Sequence, residues 1–115
     1  MIFEDEPEGR DVTEADVNRC LGWMSRNVNK LAQAIADRQH LDAYCKVVEA
    51  QQRALHAGEA AHVAEREARA SQQYKDALEA YRDASKEEQT MRYYWQLAET
   101  CIDIWRTRCA NVRKI

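Results

Sequence analysis

An apolar seam repeats at helical spacing across half of this chain. Steps of three and four residues run through Ala60, Val63, Glu67, Ala70, Tyr74, Ala77, Tyr81, Ala84, Glu88, Met91, Trp95, Ala98, Ile102, Trp105, Cys109 and Val112, and only Glu67 and Glu88 are polar. A 3.5-residue repeat held that long predicts a helix lying along a partner helix, kept in phase by slight supercoiling. At 1.5 Å per residue the helix would run to roughly 80 Å, which no compact single-core domain accommodates.

Composition agrees. A charged fraction of 32% with three glycines and one proline indicates an all-helical single domain rather than sheet or disorder. The net charge of −3 argues against wholesale coating of nucleic acid. The charge is uneven, however: Glu4, Asp5, Glu6 and Glu8 outweigh Arg10 at the start, while Arg106, Arg108, Arg113 and Lys114 cluster at the end. No apolar run approaches the roughly 18 residues that span a bilayer, and the acidic beginning is unlike a secretory leader. A cytoplasmic protein with no membrane partner is expected. Cys20, Cys45, Cys101 and Cys109 form no close pair in sequence and read as small, reduced, buried apolar residues.

Residues 1–12 read as an acidic flexible arm containing Pro7 and Gly9, with Ile2 and Phe3 suited to clip onto a helix end. Residues 13–115 then form one domain. Thr13-Glu-Ala-Asp16 has the layout of a capping box and predicts a helix start, with Val12 as a hydrophobic staple to Val17. Val17, Leu21, Met24, Val28, Leu31 and Ile35 supply a second seam. Gly22, costing about 1 kcal/mol against alanine, is expected to mark the close approach of another helix. After Ile35 the phase slips through Arg38 to Leu41, Cys45, Val48, Gln52 and Leu55. Such a stammer either overwinds a continuous helix or breaks it near residues 37–40, and continuity is the expectation because no glycine or proline intervenes.

Gly58 is the predicted bend, placed to take a left-handed cap conformation ahead of Glu59. The architecture expected is all-α: a long antiparallel, coiled-coil-like helical hairpin, with Trp95 facing Leu21 and Met91 facing Met24 to Val28. In that register the second arm overhangs the first from Trp105 to Ile115. A two-helix hairpin buries little surface, so dimerisation into a helical bundle is expected through Met91, Tyr94, Trp95, Ala98 and Ile102.

Catalytic signals are lacking. His56, Glu59 and His62 have the wrong spacing for a helical zinc site and flank the bend, so no metal, cofactor or enzymatic activity is expected. Glu67 and Glu88 read as seam residues that set register. The overhang, with Trp105, Arg106, Arg108, Val112, Arg113 and Lys114, has the composition of a protein-binding hot spot. Arg19, Arg26, Lys30 and Arg92, interleaved with Trp23, Tyr93 and Tyr94, fall near the same end and leave direct single-stranded nucleic-acid binding as the alternative.

The segment Ile102-Asp-Ile-Trp-Arg-Thr-Arg-Cys-Ala-Asn-Val-Arg113, with Tyr44 to Lys46 and Gly58 ahead of it, resembles the C-terminal part of small helical phage and prophage proteins encoded near recombination and single-strand DNA-handling genes. The resemblance covers roughly residues 40–115 and carries no catalytic residues. It implies an interaction protein in the host cytoplasm, acting as a recombination accessory or as an inhibitor of a host defence or nuclease complex.

Overall fold

The computed structural model describes residues 11–113, and the elements in order are α1 (Glu14–Ala54), α2 (Ala61–Ala70) and α3 (Gln72–Arg113). The fold is an all-α helical hairpin, with no strand among the described residues. Ile2, Phe3, Lys114 and the arm's Glu4, Asp5, Glu6 and Glu8 lie outside the described residues.

The start of α1 is the expected capping box. Thr13 Oγ1 accepts from the Asp16 amide at 3.2 Å, and the Asp16 carboxylate accepts from the Thr13 amide at 2.9 Å. Two of the orphan amides at the helix start are thereby satisfied. The helix is continuous through residues 36–41, and no stammer exists. The residues turned inward run Cys20, Met24, Asn27, Leu31, Ala34, Arg38, Leu41, Cys45, Val48 and Gln52, an unbroken alternation of fours and threes, each buried or half-buried. Leu21 and Val28 stand one residue off this line and are 51% and 47% exposed. The apparent slip comes from taking the larger hydrophobes as the seam where Cys20, Asn27 and Ala34 actually form it.

The phase change lies in the other arm, at Ser71. There the backbone turns extended, with φ −66° and ψ 148°, and separates α2 from α3. Ser71 closes one helix and opens the next: its hydroxyl donates to the Ala68 carbonyl at 2.6 Å and accepts from the Tyr74 amide at 3.2 Å. Past this point the expected seam holds from Tyr74 to Cys109, all buried or half-buried. Before it the expectation fails: Glu67 and Ala70 are exposed, and Ala64 and Ala68 are buried instead.

The bend differs too. The chain leaves α1 at Ala54 through tight turns closed by Leu55 N–H to Gln52, His56 N–H to Arg53 and Glu59 N–H to His56 carbonyls. Gly58 does not take the left-handed conformation, and the space where a Cβ would stand is open. Gly22 likewise faces no second helix; a Cβ there would meet only the Arg26 guanidinium, at 3.0 Å.

The hairpin divides into two compact units, a bend unit of residues 32–89 and an end unit that joins the residues up to 31 with those from 90 onward. In the bend unit, Cys45, Val48 and Ala77 form the core, flanked by Tyr74 and Tyr81. Around them Glu49 and Glu65 share Arg53 and Arg69, the shortest of these pairs being Arg69 to Glu65 at 2.8 Å and Arg69 to Glu49 at 3.4 Å. The end unit has a core of Cys20, Ala98 and Cys101, packed by Val12, Met24 and Ile102. Both cores are built from small side chains, so the helices pack closely and much large apolar surface stays outside.

Candidate functional site

The end unit carries the features that point to binding. On α1, Arg19, Trp23, Arg26 and Lys30 recur at steps of four, three and four, and so share one flank of the helix. Trp23 fixes what lies beside that flank. Its ring meets Tyr94 edge-on at 6.0 Å and 77°, and Trp95 at 6.2 Å and 57°. Both are favourable aromatic geometries. Trp95 is further held by its indole N–H donating to Glu99 at 2.8 Å. The aromatic partner of Trp95 is therefore Trp23, whereas Leu21, expected opposite it, points to solvent.

Beyond this aromatic group α3 leaves Tyr93, Leu97 and Ile104 exposed at 59%, 47% and 38%. A shallow open depression lined by Thr100, Asp103, Ile104, Thr107 and Arg108 continues the same stripe. Exposed apolar side chains in a row, rimmed by charge, are the usual mark of an interaction surface.

The cations differ in how they are held. Asp16 binds Arg19 one turn along, and Asp11 reaches Arg108 at 3.2 Å. The second pair is well exposed and correspondingly weak. Arg26, Lys30, Arg106 and Arg113 are exposed and have no carboxylate partner among the described residues. Over the described residues of this unit, Arg19, Arg26, Lys30, Arg92, Arg106, Arg108 and Arg113 outnumber Asp11, Glu14, Asp16, Glu99 and Asp103.

The expected binding residues fall into three groups. Arg106, Arg108, Val112 and Arg113 are exposed, Val112 at 71%. Trp105 is half-buried, because the first arm reaches further along α3 than the expected register allowed and brings Asp11 beside Arg108. Lys114 lies outside the described residues. Of the expected self-association residues, Met91 (8% exposed) and Ala98 (0%) are buried within the chain, and Tyr94, Trp95 and Ile102 are half-buried against its own side chains. Within the chain these residues fill the seam of their own hairpin, while Leu21, Val28, Tyr93, Leu97, Ile104 and Val112 of the same unit stay exposed.

Cys20 and Cys101 sit at the heart of the unit. Burial pushes the Cys20 thiol up to about 12, and a hydrogen bond with Cys101 adds to the effect. All four cysteines are free. His56 pairs with Glu59 at 3.4 Å, and no three potential metal ligands gather among the described residues. No helix among them is long and apolar enough to cross a membrane.

Comparison of the chain with protein-family models, with curated proteins and with solved structures finds no match in any of the three.

Proposed function

We propose that this chain is a non-enzymatic binding protein that docks an acidic protein partner on the face built by Trp23, Arg26, Lys30, Tyr93, Leu97 and Ile104. One observation supports this reading above the others: the unit that leaves Tyr93, Leu97 and Ile104 exposed on α3 also exposes Arg26 and Lys30 on α1, cations that have no carboxylate partner among the described residues. Apolar anchors give such a surface affinity, while the cations give it orientation and rate. In the phage context that the resemblance implies, the partner belongs to recombination or to a host defence or nuclease complex, and the site of action is the host cytoplasm. Self-association belongs to the same proposal, supported by the half-exposed Leu21 and Val28; sedimentation giving only monomer at tens of micromolar would contradict it.

The interleaving of Trp23, Tyr93 and Tyr94 with arginines favours a second reading, single-stranded nucleic-acid binding, in which bases stack on aromatic rings and cations neutralise phosphates. Fluorescence polarisation with an oligo-dT probe at 50 and 200 mM salt separates the two. The protein-docking reading expects no saturable binding at either salt; tight binding at low salt that collapses at the higher concentration establishes the second reading instead.

A further inference from the structure

We propose that Cys20 and Cys101 form a latent interhelical disulfide, an oxidation site that clasps α1 to α3 at the end of the hairpin. Three observations place the two thiols for this. They come from different helices, about 80 residues apart in sequence. They belong to one buried cluster together with Ala98. Both are free thiols.

Two buried side chains of one cluster, one on each helix, need their sulfurs to close to about 2 Å for a disulfide. The neighbourhood yields readily, because its buried members are a cysteine pair and an alanine rather than large rings. Neither Cys45, buried in the bend unit, nor the half-buried Cys109 has such a counterpart.

The oxidant is a peroxide. The Cys101 sulfur, at 7% exposure the more accessible of the two, attacks the peroxide oxygen. It becomes a sulfenic acid as the O–O bond breaks and the first water leaves. The Cys20 sulfur then attacks the sulfenic sulfur, the S–OH bond breaks, and the departing hydroxide takes the Cys20 proton as a second water. Two thiols and one hydrogen peroxide thus give one disulfide and two waters. The reaction waits on opening of the helix ends, since the thiolate is the nucleophile and burial disfavours it at Cys20.

Bonding here closes a large loop, and restricting the unfolded chain to that extent raises the melting temperature by roughly 10 °C. The docking face is not required for the reaction, so the inference stands or falls independently of the partner.

The test oxidises the intact chain with hydrogen peroxide, digests it with trypsin under non-reducing conditions and maps the linked peptides by mass. The expected product joins residues 20–26 to residues 93–106 with loss of two hydrogens. The melting temperature should rise with the cross-link and return on reduction. Cys20→Ala should abolish both changes; if that variant does not fold, the wild-type peptide map alone decides. Recovery of only Cys109-linked intermolecular products, independent oxidation of Cys101 to sulfinic acid, or a melting temperature that falls on cross-linking would overturn the proposal.

Discussion

Arg38 of α1 reaches Glu88 of α3 with Nε at 2.9 Å and Nη2 at 3.4 Å, a two-pronged pair across the hairpin in which Glu88 keeps only 11% of its side chain exposed. Each residue occupies an inward-facing position of its helix. The pair explains what Arg38 is doing where the first arm seemed to lose phase. Its hydrogen bond to Glu88 also holds the guanidinium pKa above its usual value.

Breaking one side of the pair removes a two-pronged cation from a carboxylate held largely out of water, a loss that exceeds the modest value of the intact pair. Arg38→Ala should lower the melting temperature by several degrees. Arg38→Glu should lower it further, and adding Glu88→Arg to that variant should recover most of the loss. If the exchanged pair melts no higher than Arg38→Glu alone, the contact does not help fix the register.

Trp23 and Trp95 share one aromatic group, so neither is dispensable. Each is half-buried, and each change to alanine should cost about 2 to 3 kcal/mol in denaturant melts. The double variant should fall short of the sum by about 0.5 to 1.5 kcal/mol, the range expected of an aromatic pair. Strict additivity would mean that the rings do not interact.

These tryptophans also show how far the sequence was legible. Thr13 and Asp16 announced the helix start because a capping box is local chemistry. Tyr74 to Cys109 announced the second seam because apolar residues recur there at unbroken steps of three and four, with Glu88 the one polar member. The first seam misled because Leu21 and Val28 are more hydrophobic than Cys20, Asn27 and Ala34, yet close helix packing selects for small size. Between Ala60 and Ala70 the alanines spread over a broad half of the helix, so two neighbouring lines, Val63 to Ala70 and Ala64 to Ala68, both fit the spacing and the break at Ser71 decides between them. The placement of Trp23 against Trp95 depends on where the bend lets the arms meet, which no local pattern records.

Glycine substitutions offer a clean test of the helices. Gly22 sits in a helix interior where an added methyl meets only a mobile guanidinium, so Gly22→Ala should stabilise the fold by about 1 kcal/mol. Gly58 needs no left-handed backbone and has open space around it. Gly58→Ala should therefore be neutral or stabilising, by less than about 1 kcal/mol. Marked destabilisation at either position, read from chemical unfolding, would mean that the local backbone differs from that described.

Alkaline pH should weaken the end unit. Burial raises the Cys20 thiol in the folded chain from its ordinary 9.0 to about 12. The folded state therefore holds a proton that the unfolded state releases once pH passes 9. Its stabilising contribution is complete below pH 9 and is lost as pH climbs from 9 toward 12. Melting temperatures measured across that interval should fall less steeply for Cys20→Ala than for the natural chain, and parallel curves would exclude the thiol as the source.

The docking face is tested most directly by placing a photo-crosslinking amino acid at Leu97 or at Val47 and exposing each labelled chain to host-cell extract. The two positions are almost equally exposed, at 47% and 49%, so indiscriminate hydrophobic capture labels both alike. The account predicts a discrete protein adduct from position 97 that is absent from position 47, and that disappears when Arg26→Glu and Lys30→Glu are introduced together. Equal labelling from the two positions, or an adduct at 97 that persists after both charge reversals, would contradict it.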